Sequence, residues 1–98
     1  MRVLLKATLD TEKGNEAIRA GKMPDLINGV VAQLKPEAAY FGPIGGRRTA
    51  LLVFEMQDSS ELPPAAEAFF TQANADVEVC PIMNAEELQK GLSRMSTG

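Results

Sequence analysis

The sequence predicts an α+β fold in which strands and helices follow in the order β-α-β-β-α-β, with one further helix at the end. Short apolar, β-prone stretches alternate with stretches of helical periodicity, and Gly45-Gly46 suits a two-residue hairpin between two adjacent strands. Pro43 and Pro81 fall in the second and fourth strands. In this order, which is the split βαβ or ferredoxin-like plan, those two strands form the edges of a four-stranded antiparallel sheet, where proline is tolerated.

The first half of the chain holds a strand and an interrupted helix. We expect the strand over 2–9, and a helical stretch that runs from there to Pro36. Asp10 or Thr11 is expected to cap the helical stretch at its start. Because Pro24 cannot lie inside a straight helix, we expect a break before it, with Pro24 in the first turn of a second segment.

The second half is predicted to supply three strands and a helix. The expected strands span 37–44, 47–57 and 75–83, and the expected helix spans 59–73. Ser59 or Ser60 is expected to cap that helix. We expect Phe69 and Phe70 to face the core from it.

A terminal helix over 85–95 is predicted from its cap and its apolar stripe. Asn84 and Glu87 are spaced as a capping box. Leu88, Leu92 and Met95 recur at helical spacing and form a narrow apolar stripe. This stripe is a candidate surface for a protein partner.

The hairpin fixes a register that sorts the strand residues into two faces. If Ile44 lies opposite Arg47, one face is apolar and is expected to pack on the helices. The second face is mixed. Its apolar residues form a patch too large for a monomer surface, and they are Leu4, Tyr40, Leu51, Val53 and Ile82. We therefore expect a second copy to pack against this face, sheet against sheet, about a two-fold axis.

Composition excludes several classes of function. The 98 residues are expected to form one domain over 1–98. The net charge of −3 argues against nucleic acid and anionic membranes as partners. The chain has no histidine and one cysteine, Cys80, so we expect no metal site, no cofactor, and no Ser-His or Cys-His nucleophile. The charged residues Lys6 and Asp10 interrupt the N-terminal apolar stretch too early for the apolar region of a signal peptide. A cytoplasmic location is therefore expected.

The chain resembles the dimeric α+β barrel superfamily in the stretches "PEAAYF…GRRTALLVFEM", "LPPAAEAFF" and "VEVCPIMNAEELQKGL". Within it, the chain is most similar to a group of short uncharacterised bacterial proteins distantly like muconolactone isomerase. The resemblance implies ferredoxin-like subunits that dimerise sheet to sheet, and ligands that lie in the barrel or between sheet and helices. Several members use a histidine for acid–base or haem chemistry, and that role cannot be transferred to this chain.

Polar residues of the mixed face are the candidate ligand-binding residues. They are Lys6, Thr8, Tyr40, Arg47, Thr49, Glu55 and Glu78. If Lys6 lies near Glu55, the pair can bind a carboxylate or phenolate and shift a proton. The alternative is that the two residues only satisfy each other inside the dimer interface. Tyr40 fits an interface aromatic better than a catalytic phenol, and no catalytic residue is assigned.

Two functional hypotheses follow from these residues. The first is a homodimer, or a higher oligomer, that binds or transforms a small anionic or aromatic metabolite in its cavity without metal or haem. The second is a non-catalytic dimerisation or accessory protein that acts with a protein partner. An RNA-binding sheet is disfavoured because the sheet is poor in aromatic residues and the chain is acidic.

Overall fold

The structure, a computed structural model, describes residues 1–95. Its strands are β1 (Arg2–Thr8), β2 (Ala38–Ile44), β3 (Arg47–Glu55) and β4 (Asp76–Pro81), and its helices are α1 (Thr11–Arg19), α2 (Met23–Leu34), α3 (Leu62–Ala73) and α4 (Ala85–Met95). The strands form one antiparallel sheet of order β2-β3-β1-β4. The α+β prediction is confirmed, with the two proline-bearing strands at the edges, and the arrangement is compatible with the split βαβ plan.

The predicted break in the first helical stretch is present. Asp10 caps α1 and accepts a hydrogen bond from the backbone N–H of Lys13 at 2.9 Å. The chain then turns through Gly21 in a left-handed conformation (φ +68°) before α2 begins. Pro24 lies in the first turn of α2, where its missing N–H costs no helical hydrogen bond. The two helices can therefore pack at different angles on one small core.

The start of this helical segment differs from the prediction, because Asp58 caps a 3₁₀ turn before α3 and neither Ser59 nor Ser60 is a cap. A short 3₁₀ turn, Ser59–Glu61, precedes α3. The Asp58 carboxylate accepts from the Ser60 N–H at 2.7 Å, and the Glu61 carboxylate accepts from the Asp58 N–H at 2.9 Å. Hydrogen bonds from the Ser60 hydroxyl and N–H hold the pKa of Asp58 below its usual value. Two prolines open α3, so the capping interactions form one turn earlier.

Helices α1, α2 and α3 pack on one face of the sheet and close the core there. Phe54, at 1% exposure, and Phe69, at 0%, are the largest fully buried side chains. Burial of one such side chain stabilises the fold by about 1.5–3 kcal/mol. The prediction that Phe70 also faces the core is wrong, because its side chain is 43% exposed. Phe70 follows Phe69 by about 100° around the helix, which turns it away from the sheet.

The predicted hairpin register is confirmed. Ile44 lies opposite Arg47, and Tyr40 lies opposite Leu51. The sheet face turned away from α1, α2 and α3 is called the open face below. Its residues are Arg2, Leu4, Lys6, Thr8, Ala38, Tyr40, Gly42, Ile44, Arg47, Thr49, Leu51, Val53, Glu55, Asp76, Glu78 and Cys80.

Candidate functional site on the open face

The open face divides along the strands into a polar half and an apolar half. In the polar half, Thr8 lies between Thr49 and Asp76, and Lys6 lies between Leu51 and Glu78. The apolar half consists of Ala38, Val53, Leu4 and Cys80, which follow one another across the four strands. Because residues on one face repeat every second position, neighbouring rows are about 7 Å apart. The polar half also contains Leu51 and Ile44, and a row with the charged residues Arg2 and Glu55 bounds the apolar half.

Six of the seven candidate residues lie together in the polar half. They occupy three successive rows, and they are Arg47, Thr8, Thr49, Lys6, Tyr40 and Glu78. Glu55 does not belong to this group. It lies opposite Arg2, four residues further along the sheet from Lys6, and its carboxylate contacts the N-terminal ammonium of Met1. Four residues along a strand correspond to about 13 Å.

The expected pairing of Lys6 with Glu55 is therefore wrong. The cross-strand neighbours of Lys6 are Leu51 and Glu78, and its Nζ lies 4.0 Å from Oε2 of Glu78. The Lys6 side chain is 38% exposed and that of Glu78 is 74% exposed. Solvent reaches both groups, so this chain on its own does not form the desolvated acid–base pair that proton transfer was expected to use.

Arg47 reaches from β3 across the end of β1 to β4. Its Nε donates to the carbonyl oxygen of Leu9 at 3.2 Å, and its Nη1 lies 3.3 Å from Oδ2 of Asp76. Thr49, beside it, is only 4% exposed, and its hydroxyl donates to the Arg47 carbonyl oxygen at 3.0 Å. The guanidinium is thus held in place by backbone and carboxylate contacts while part of it remains accessible.

These groups can together receive a small anion with an aromatic or apolar body. The acids that pair with the two cations are mostly exposed, Asp76 at 79% and Glu78 at 74%. Exposed ion pairs are worth about 0–1 kcal/mol, so a competing anion displaces such a carboxylate at little cost. Tyr40, at 68% exposure, offers a ring surface in the same half.

Two hollows lie on the helical side of the sheet, the side that the resemblance named as an alternative ligand position. One, of about 530 Å³, lies among α1, α2 and α3 and is lined in part by Lys13, Glu16 and Lys22. The other, of about 380 Å³, lies between α2 and the β2 edge and is lined largely by apolar groups, including Phe41. Phe41 lies on the helical side of β2 and is 53% exposed. Of the seven candidates, only Thr49 lines either hollow.

An ion-pair network at the apolar end of the open face also escaped the sequence prediction. Nε of Arg2 donates to Glu37 at 2.7 Å, and Nη1 of Arg2 donates to the carboxylate of Glu87. Glu87 also completes the predicted capping box of α4, since the Asn84 side chain accepts from its N–H at 2.8 Å and its carboxylate accepts from the Asn84 N–H at 3.0 Å. That backbone hydrogen bond and the charge of Arg2 hold the pKa of Glu87 below its usual value.

Comparison of the chain with protein-family models and with curated proteins found no match. Over residues 1–95, no three His, Cys, Asp or Glu side chains are grouped so that they could hold a metal ion. Within the same range, the structure contains no helix with the length and apolar character of a membrane span.

Proposed function

We propose that two copies of the chain pack with their open faces together as ferredoxin-like subunits, and that the dimer binds a small anionic or aromatic metabolite beside the polar half. The observation that carries this proposal is the grouping of six polar residues at one end of a face that α1, α2 and α3 leave uncovered. The neighbouring row of Ala38, Val53, Leu4 and Cys80 is apolar, which suits a dry contact between sheets. Neither metal nor haem is needed for this binding.

The proposal is for binding, since the residues that were expected to exchange a proton lie apart. Lys6 and Arg47 would receive the anionic group of the ligand, and Tyr40 would pack on its body. Contact with a second sheet would lower the local dielectric constant around both cations, which strengthens their attraction for an anion. Each cation would then pair with the ligand in place of an exposed carboxylate.

An NMR titration with benzoate and, separately, with inorganic phosphate tests this site. The expected result is a set of amide shifts confined to the polar half, centred on Lys6 and Arg47, for at least benzoate. Lys6→Met should abolish these shifts. Lys13→Met is the matched control, because Lys13 is similarly exposed on α1 (41%) and should leave them unchanged. Shifts that survive Lys6→Met, or none with either probe, would count against the site.

The exposed stripe on α4 favours a second candidate, a non-catalytic accessory protein that acts with another protein. Leu88 and Leu92 are 43% and 47% exposed, and α4 has no buried residue. This candidate predicts that the polar half binds neither probe and that the protein co-purifies in a defined ratio with a different chain. The titration above therefore separates the two candidates.

A further inference from the structure

Helix α4 has an apolar face that is exposed and includes no buried residue. Leu88, Leu92 and Met95 lie on one side of this 11-residue helix at 43%, 47% and 76% exposure. Charged residues, among them Glu86 and Lys90, lie on the opposite side. Isolated helices shorter than about 12–15 residues are marginal in water, and most helices gain their stability by packing an apolar face. The stripe on α4 therefore calls for a partner surface.

The base of α4 lies at the rim of the open face. Arg2 projects from the open face at the end of β1, and its guanidinium contacts both Glu37, just before β2, and Glu87, in the first turn of α4. The described structure measures 57 × 27 × 18 Å, whereas a seven-residue strand is only about 24 Å long. Helix α4 thus extends away from the sheet, from the edge of the surface on which a second copy is proposed to pack.

The area of the open face explains why a second copy needs this helix. Four strands about 4.8 Å apart and about seven residues long present a planar area of roughly 450 Å². A stable interface buries about 800 Å² on each partner. Helix α4, about 16 Å long and about 10 Å wide, adds roughly 160 Å². In a two-fold dimer each copy both contributes and receives one helix, so the addition is roughly 320 Å² per copy and nearly closes the gap.

We propose that α4 is an arm that packs its Leu88, Leu92 and Met95 stripe on a second copy of this chain, as a continuation of the open-face interface. The proposal rests on the self-association put forward above. It identifies the occupant of the stripe as the same chain and makes α4 part of the dimer. The base of the helix is joined to its own sheet by the ion pair between Glu87 and Arg2.

Light scattering over a dilution series tests the arm with three variants. The double variant Leu88→Glu, Leu92→Glu is expected to raise the dissociation constant of the dimer by at least about 100-fold. Lys90→Glu changes the net charge by the same −2 on the opposite side of α4, and it should stay within about threefold of the wild type. Leu51→Glu, on the open face, should weaken the dimer independently of the arm. Circular dichroism checks that each variant is folded.

The outcomes separate the arm from the proposed dimer. An unchanged dissociation constant in the double variant, together with a weakened dimer in Leu51→Glu, overturns the arm and leaves the sheet-to-sheet dimer in place. A wild-type protein that stays monomeric at all concentrations overturns both. Weakening by the double variant that Lys90→Glu does not reproduce supports the arm.

Paramagnetic labelling shows which chain receives the arm. A spin label on Gln89→Cys, in a Cys80→Ser background, is mixed with ¹⁵N-labelled chains that carry Cys80→Ser alone. The expected result is broadening of amide signals in the ¹⁵N-labelled chains, because the label then sits on the partner. Broadening of sheet amides seen only when label and ¹⁵N are in the same chain would show that α4 folds back on its own sheet. The absence of both, or capture of the stripe by a different protein, would also overturn the proposal.

Discussion

Replacement of Leu51 by glutamate distinguishes a monomer from a sheet-to-sheet dimer, because its expected effect differs between them. Leu51 is partly exposed on the open face, and its cross-strand neighbours are Tyr40 and Lys6. In an isolated chain the new carboxylate would stand beside the Lys6 ammonium. Opposite charges directly across antiparallel strands contribute about 0.2–1 kcal/mol. The free energy of unfolding of a monomer should therefore change little.

In the dimer, the same substitution removes apolar burial and buries a charge on both copies. Full burial of a leucine side chain is worth about 1.5–3 kcal/mol, and part of it is made only in the interface. Moving a carboxylate out of water costs several kcal/mol more unless a partner compensates for it. Even a loss of about 1.5 kcal/mol per copy gives about 3 kcal/mol for the dimer, or about 150-fold in the dissociation constant.

Analytical ultracentrifugation and urea unfolding, each over a range of protein concentrations, measure the two effects separately. Asn28→Asp is the matched control, because Asn28 is exposed on α2 and the substitution changes the charge by the same amount away from the open face. We expect Leu51→Glu to be monomeric where the wild type and Asn28→Asp are dimeric. A Leu51→Glu protein that dimerises as tightly as the control would refute the assignment of the open face as the interface.

Three further predictions concern the fold. Phe69→Ala should lower the free energy of unfolding by about 3–5 kcal/mol. Phe70 is 43% exposed, so Phe70→Ala should lower it by clearly less. Equal losses in urea unfolding would contradict the assignment of Phe69 to the core. Gly46→Ala should destabilise the protein by about 1 kcal/mol, because φ is +77° at this position. Gly29 is exposed within α2, where alanine is the better helix former, so Gly29→Ala should stabilise the protein by up to about 1 kcal/mol. Thermal unfolding measures both changes. The pKa of the Glu87 carboxyl group, measured by ¹³C NMR, should lie below its ordinary value of 4.5. Its stabilisation of α4 is therefore present above pH 4.5 and is lost as the pH falls through the depressed pKa. A measured pKa at or above 4.5 would rule out the capping and ion-pair contacts.

The sheet could be predicted well where local chemistry determines it. Gly45 and Gly46 adopt the positive φ angles, +65° and +77°, that a two-residue hairpin requires. The turn then fixes every pair between β2 and β3, including Tyr40 opposite Leu51. Alternation of apolar and polar residues decides which side of each strand faces the core. None of these inferences needs knowledge of contacts distant in sequence.

The pairing of Lys6 could not be predicted in the same way. The offset between β1 and β3 is set by packing of the whole helical layer, because no tight turn joins these strands. Glu55 on β3 and Glu78 on β4 both lie on the correct face, and the offsets of these two strands relative to β1 decide which of them is near Lys6. The face of each candidate residue was thus predictable, whereas its neighbour on the next strand was not.

The exposure of Phe41 has a related cause. Periodicity shows which side of an element is apolar, but it does not show how far the opposing layer extends. Helix α2 leaves the outer part of the β2 edge uncovered, so Phe41 points to the helical side and is still half exposed beside the 380 Å³ hollow.

The edges of the sheet also bear on how copies can associate. Pro43 lies in β2 and Pro81 in β4, and a proline provides no N–H for an added strand. Edge-to-edge extension is therefore disfavoured on both sides, and the helical face already packs its own core. The open face and the α4 stripe are the surfaces that we propose for a second copy. If a ligand binds beside residues of the polar half from both copies, its binding and dimerisation must be linked, so each would strengthen the other. Light scattering with and without benzoate would then detect occupancy of the site as a shift toward dimer.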